Sequence, residues 1–229
     1  MSERPGDSME SLYPFLYSGA TDLEAVLASV RASTVEKANE IVALRRAVLE
    51  RDGDRLAACA WAMAGAFSRG ARLFAFGNGG SSTDAQDVAA LFLHPGAGAR
   101  PLPAFALTAD VAVVTALAND IGFEVVFARQ IAASGRPGDI AFGLSTSGNS
   151  RNLIAAFREA DRRGMVTVGL AGYDGGQMAE LGTIDHLFVV PSTSVHRIQE
   201  AQTTVYHALW ELTQDALAGS TYAGTSRGW

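Results

Sequence analysis

Four hydroxyl side chains lie within residues 145–150, between a short apolar run and a helical pattern; they belong to Ser145, Thr146, Ser147 and Ser150. A plain helix cap needs only one serine or threonine, so four exceed a purely structural need. Hydroxyl groups, backbone N–H groups and the positive end of a following helix are the groups that hold a phosphate. The segment therefore predicts a phosphate-binding loop.

A second polar loop, at residues 77–82, is rich in glycine and contains Asn78, Gly79, Gly80 and Ser81. Glycines let the backbone approach a ligand closely. The loop lacks both the Gly-Lys-Ser/Thr ending of nucleoside-triphosphate loops and the Gly-x-Gly-x-x-Gly spacing of dinucleotide-binding loops. We therefore expect a ligand-binding loop but no nucleotide cofactor.

Both loops follow a strand pattern and precede a helix pattern, and this alternation continues along the chain. Short apolar runs predict strands at 72–76, 103–107, 139–144, 166–170 and 186–190. The pattern predicts an α/β fold, a three-layer sandwich with a central, mostly parallel sheet. Ligands of such sheets bind beyond the carboxyl ends of the strands, which is where both loops fall.

Three parts of the chain are expected. Residues 1–54 form an N-terminal helical extension, because apolar residues recur at helical spacing up to an Asp-Gly-Asp break at 52–54. Residues 55–218 form the main domain, and residues 219–229 form a loose tail.

Composition and charge exclude several classes of protein. Hydrophobic residues make up 48% of the chain and charged residues 18%, which is enough apolar material for a packed core. The net charge of −6 disfavours direct binding of nucleic acid. Neither a secretion signal nor an apolar run of membrane-spanning length is recognisable, so we expect a cytoplasmic protein.

Together with four other motifs, the two loops resemble the SIS (sugar isomerase) family, in its phosphoheptose isomerase branch. The other motifs are Ala118-Asn119-Asp120, the turn at 136–139, the glycine-rich segment at 172–176 and Arg197-Ile198-Gln199-Glu200. The resemblance covers roughly residues 71–212. It implies the flavodoxin-like SIS fold, a homotetramer with active sites between subunits, and conversion of sedoheptulose 7-phosphate to an aldose.

The resemblance also assigns the substrate contacts. It implies that the phosphate is held by Ser81, Ser145, Thr146, Ser147 and Ser150. It implies that the sugar hydroxyls are held by Asn78, Asp120 and Gln199, beside Gly79 and Gly80 of the first loop.

Moving a carbonyl between C2 and C1 needs a base and a group that protonates or polarises the enediol oxygens. The family pattern has a His and a Glu after the glycine loop, and a Gln and a His on the last helix. Gln199 and His207 match the second pair, but Asp87 and Leu91 replace the first. We therefore predict His207 and Asp87 as catalytic residues. Two arrangements stay open: an acid/base pair of Asp87 and His207 without metal, or a zinc site with Asp87, Gln199 and His207 as ligands. His94 shares the helical face of Asp87 and is an optional further ligand.

Three functions stay open at this point. The first is an active ketose–aldose isomerase on a phosphorylated sugar. The second is a catalytically inactive module that binds a sugar phosphate or docks a protein partner, because Leu91 cannot move a proton. The third is an enzyme for another sugar phosphate, with the chemistry moved to Asp87. We favour the first.

Overall fold

A computed structural model describes residues 23–219, so residues 1–22 and all of the predicted tail beyond Gly219 lie outside the described part. The elements alternate as the sequence pattern predicts. In chain order they are α1 (Leu23–Ser68), β1 (Leu73–Gly77), α2 (Gly80–Leu93), β2 (Ala104–Ala106), α3 (Val111–Asp120), a 3-10 turn (Phe123–Val125), α4 (Val126–Ser134), β3 (Ile140–Leu144), α5 (Arg151–Arg162), β4 (Val166–Gly172), α6 (Gly176–Glu180), β5 (His186–Val190) and α7 (Val195–Leu217).

The five strands form one sheet in the order β2-β1-β3-β4-β5, and every neighbouring pair is parallel. The predicted α/β fold with a mostly parallel central sheet is confirmed. Gly77 at the end of β1 is level with Leu144 at the end of β3. The two polar loops therefore leave neighbouring strands at the same edge of the sheet.

An aromatic cluster fixes the two strands that carry these loops. The ring of Phe76 packs between those of Phe127 and Phe157, with centroids 5.5 and 5.3 Å away. Gly143 of β3 lies beneath this cluster, and a Cβ there would come 2.5 Å from Phe157 and 2.8 Å from Phe76. Because interiors are close-packed, the strand ends have little freedom to shift.

The predicted helix break at 52–54 is wrong, because α1 continues through it. Asp52 is 1% exposed and forms ion pairs with Arg51 and Arg55, each at 2.6 Å. A glycine inside a helix costs only about 1 kcal/mol, which such contacts offset. The chain divides into two compact units between residues 42 and 43, while the domain limit at residue 54 stays a prediction. None of the helices within residues 23–219 is long and apolar enough to cross a membrane.

Candidate functional site

The hydroxyl-rich loop at 145–150 uses only some of its donors and acceptors internally. The buried Oγ of Ser145 accepts a hydrogen bond from the N–H of Gly148 at 3.1 Å and lies 3.4 Å from the Oγ of Ser150. Ser150 holds the N-cap position of α5, yet its side chain makes no capping hydrogen bond. Its hydroxyl is therefore not consumed by the helix, in agreement with a ligand-binding role.

The hydroxyl-rich loop rests on the segment at 172–176 and on α6, a short helix that the sequence pattern did not predict. Gly148 has φ +66°, and a Cβ on it would overlap the carbonyl oxygen of Gly175. The N–H of Met178 donates to the carbonyl of Gly148 at 3.0 Å. The N–H of Gln177 donates to Oδ1 of Asn149, also at 3.0 Å. Backbone packing on this segment thus sets the shape of the loop.

The glycine-rich loop turns sharply from β1 into α2. A Cβ on Gly77 would overlap the carbonyl oxygen of Ser81, and Gly79 has φ +56°. The N–H of Ser81 donates to the carbonyl of Asn78 at 3.0 Å and closes the turn. The glycines at 77 and 79 are therefore needed for the turn itself.

A pair of amides joins the two loops, and one member, Asn152, was missed by the sequence analysis. Asn78 Nδ2 donates to Asn152 Oδ1 at 2.9 Å, and Asn152 Nδ2 donates back to Asn78 Oδ1 at the same distance. Asn152 is 3% exposed and lies on α5, directly after the hydroxyl-rich loop. The predicted sugar ligand Asn78 is thereby fixed relative to the predicted phosphate loop.

The last helix reaches the same region through Gln199. Its Nε2 donates to Oδ2 of Asp84 on α2 at 3.2 Å. Gln202, one turn further, donates from Nε2 to the carbonyl of Ser145 at 3.3 Å, and its buried Oε1 has no hydrogen-bond partner. Helix α7 therefore contacts both loop regions. Neither Asp84 nor Gln202 was singled out from the sequence.

Two carboxylates of α2, those of Asp84 and Asp87, influence the segment of α7 that precedes His207. Burial raises the pKa of Asp84; the hydrogen bond from Gln199 opposes this, and the charge of Asp87 adds to it. Burial likewise raises the pKa of Tyr206. A hydrogen bond with Thr203 lowers this pKa, and the charges of Asp84 and Asp87 raise it further. His207 is exposed and stacks on the ring of Tyr206 at 5.2 Å between centroids.

Three further sequence candidates lie at or beyond the margin of this region. Asp120 ends α3, is exposed, and accepts a hydrogen bond from Asn119 at 2.8 Å. His94 is the exposed C-cap residue of α2. Leu91 is partly buried, two helical turns after Asp84 and on the same face. No described hydrogen bond joins Asp120 or His94 to the two loops, so their predicted roles stay predictions.

Replacing Asp84 with asparagine should raise the melting temperature at neutral pH. Burial raises the pKa of this carboxyl, so the folded protein is more stable when the group is protonated. This stability is fully present below the pKa of the group in the unfolded chain, and it is lost as pH rises through the higher pKa in the folded protein. Calorimetry of the metal-free wild type and Asp84→Asn from about pH 4 to about pH 8 should show a gain that shrinks toward acid. A variant that melts below the wild type at neutral pH would contradict this account.

The fold and the two loops define a class: a parallel α/β protein with two polar loops at one edge of its sheet. The SIS domain family matches residues 38–172, more than half of the chain. A phosphoheptose isomerase of Nitratidesulfovibrio vulgaris is 42% identical over 82% of this chain and 90% of its own. A phosphoheptose isomerase of Aquifex aeolicus is 41% identical over 77% of this chain and 92% of its own.

Solved structures agree with these relatives. The structure of a phosphoheptose isomerase from Neisseria gonorrhoeae superposes with a TM-score of 0.74 at 34% identity, covering 80% of this chain and 98% of that one. The structure of a phosphoheptose isomerase from Francisella tularensis superposes with a TM-score of 0.68 at 33% identity, covering 86% of this chain and 100% of that one. The chain belongs to the SIS domain family, in its phosphoheptose isomerase branch, which confirms the resemblance seen in the sequence.

Proposed function

We propose that this protein is a ketose–aldose isomerase that acts on sedoheptulose 7-phosphate or a related sugar phosphate. The observation that carries this proposal is the joining of the two loops by the Asn78–Asn152 amide pair, beside the last helix. A hydroxyl-rich loop at a helix N-terminus suits a phosphate. The amides of Asn78 and Gln199 suit the hydroxyls of a sugar chain attached to it.

In net terms, the proposed reaction moves one proton between two carbon atoms and one proton between two oxygen atoms. A base removes a proton from C1 of the ketose to give an enediol, and the proton is returned at C2. At the oxygens, a proton leaves O1 and another is added to O2 as the aldose forms. His207 and Asp87, on the facing helices α7 and α2, are the predicted pair for these steps.

Leu91 means that the carbon-bound proton cannot be removed from the family's usual position, so another side chain has to serve as the base. The alternative of an inactive binding module draws no support from the relatives named above, since each is called an isomerase. The isomerase is therefore the function we propose.

Zinc is a separate prediction, and the donors of one chain fit it poorly. Zinc sites use histidine, cysteine and carboxylate ligands, usually four. Within residues 23–219 no three such side chains form a group that could hold a metal. One hydrogen of Gln199 Nε2 is donated to Asp84, which leaves Oε1 as its acceptor for any other contact. We derive no step through zinc, and metal analysis of the purified protein would test the prediction.

Assembly, location and partners are also part of the proposal. The family resemblance supports a homotetramer, and the N-terminal unit exposes Val26, Leu27 and Val30 by 43%, 46% and 55%. Such apolar surface on a helix suits another subunit or a protein partner. The net charge of −6 supports the absence of direct contact with nucleic acid. A cytoplasmic location would follow from a biosynthetic role.

Proton NMR in deuterated water, with sedoheptulose 7-phosphate and with or without added zinc, tests the proposed function. We expect loss of the C1 proton signal that depends on the protein, together with new aldose signals. Protein-dependent exchange that appears only with zinc would show that metal is required. Binding of the sugar phosphate without any exchange in either condition would contradict the proposed isomerase.

A further inference from the structure

The side chain of Gln199 lies directly against the backbone of Gly80, the first residue of α2. A Cβ added to Gly80 would overlap Nε2 of Gln199 and lie 3.1 Å from its Cδ and Oε1. Gly80 is not among the residues with positive φ, so its backbone conformation is open to other residues. The missing side chain at position 80 therefore makes room for the amide of Gln199.

Asp84 holds the same amide from the next turn of α2. Its Oδ2 accepts from Nε2 of Gln199 at 3.2 Å, and the residue is only 9% exposed. An ionised carboxylate only accepts hydrogen bonds, so the amide must turn its NH₂ group toward Asp84. This orientation commits one hydrogen of Nε2 to Asp84 and leaves Oε1 of Gln199 as the acceptor available to another group.

We propose that Gly80 and Asp84 form a slot that fixes the amide of Gln199 so that its oxygen accepts a hydrogen bond from a sugar hydroxyl. Both are positioning residues, since they act through Gln199. The inference rests on the proposed function in one respect, namely that the site takes a phosphorylated sugar. It assigns Gly80 the task of positioning Gln199 and gives Gly80 no contact with the phosphate.

A double-mutant cycle between Gly80 and Gln199 tests the slot. Calorimetric titration would give Kd for sedoheptulose 7-phosphate and, separately, for inorganic phosphate. We expect Gly80→Ala and Gln199→Ala each to weaken sugar phosphate binding about tenfold, the scale of one lost hydrogen bond. The double variant should bind like Gln199→Ala alone, and inorganic phosphate affinity should stay unchanged in all three.

Gly182→Ala is the matched control, because a Cβ there meets no atom within 4 Å and its φ is not positive. It should bind both compounds like the wild type. Two results would overturn the slot: strictly additive effects of the two substitutions, or an equal loss of inorganic phosphate binding in Gly80→Ala. The second would make Gly80 part of the phosphate cradle.

Asp84 is tested by two substitutions of similar size. Asp84→Asn keeps an oxygen that can accept from Gln199, so it should retain most of the sugar affinity. Asp84→Leu fills the same space without an acceptor and should weaken sugar phosphate binding about tenfold at unchanged phosphate affinity. Loss of turnover in Asp84→Asn at unchanged Kd would overturn the positioning role, because Asp84 would then act on the substrate itself.

Sugar phosphate binding and proton exchange by the wild type distinguish this inference from the proposed function. Binding of sedoheptulose 7-phosphate without exchange, with the variants behaving as expected, supports the slot and rejects the isomerase. Exchange by the wild type, with Asp84→Leu and Gly80→Ala indistinguishable from it in Kd, rejects the slot alone. A wild type that does not bind the sugar phosphate overturns both.

Discussion

Replacing Gly148 with alanine should abolish sugar phosphate binding and destabilise the protein by about 4 kcal/mol or more. The backbone of Gly148 is left-handed, with φ +66°, and an added Cβ would overlap the carbonyl oxygen of Gly175. A left-handed conformation alone costs alanine roughly 1 kcal/mol. The larger cost comes from two backbone segments that must move apart, which removes the support beneath the hydroxyl-rich loop.

Gly164→Ala is a close control for this prediction. Gly164 has φ +69°, but its nearest neighbour to an added Cβ is Pro137 at 3.9 Å, an ordinary contact. It therefore carries the left-handed strain without the overlap and should lose only about 1 kcal/mol. Chemical denaturation and titration with inorganic phosphate measure the two effects. Equal destabilisation of both variants would show that the contact with Gly175 does not constrain the loop.

The sheet and both loops could be predicted because their signals are local. A buried parallel strand is a short apolar run, and a ligand loop has glycine or hydroxyl residues directly after it. The helix break at 52–54 was wrong for the opposite reason. Asp52 is stabilised inside α1 by Arg51 and Arg55, and the Asp-Gly-Asp composition alone shows neither its burial nor these ion pairs.

The residues missed at the site depend on partners far away in sequence. Asn152 pairs with Asn78 at a separation of 74 residues, and Asp84 pairs with Gln199 at a separation of 115. A single asparagine on a helix or a single aspartate in its first turns is ordinary in a sequence. Only the fold brings each one to its partner. The sequence pattern did not predict α6, because five residues are too few to show apolar side chains recurring at helical spacing.

The burial of Asp84 at the site lowers the stability of the folded protein. Its carboxyl is buried, which disfavours the charged form, yet an oxygen of this carboxyl is the acceptor that orients the amide of Gln199. An apolar residue at this position would remove the burial penalty and release the amide. The expected gain in melting temperature for Asp84→Asn and the expected loss of sugar affinity for Asp84→Leu are two consequences of this one arrangement.

His207→Ala should lower turnover of the sugar phosphate by about 100-fold or more while Kd stays nearly the same, as expected when a proton-transfer group is lost. His207 is exposed, so its removal creates no cavity in the core. Its ring stacks on Tyr206, a 2% exposed residue whose pKa is raised chiefly by burial and further by Asp84 and Asp87. The stacking fixes the His207 ring against a buried side chain whose pKa responds to both carboxylates of α2.

His196→Ala provides the comparison, because His196 is also exposed and lies on the same helix, at its first turn. Its loss should change neither turnover nor melting temperature. Single-turnover exchange in deuterated water separates chemistry from product release, and calorimetry gives Kd for both variants. If His207→Ala weakens binding but leaves the rate of exchange from the bound sugar unchanged, His207 holds the substrate and moves no proton. Asp87 would then be the remaining member of the predicted catalytic pair.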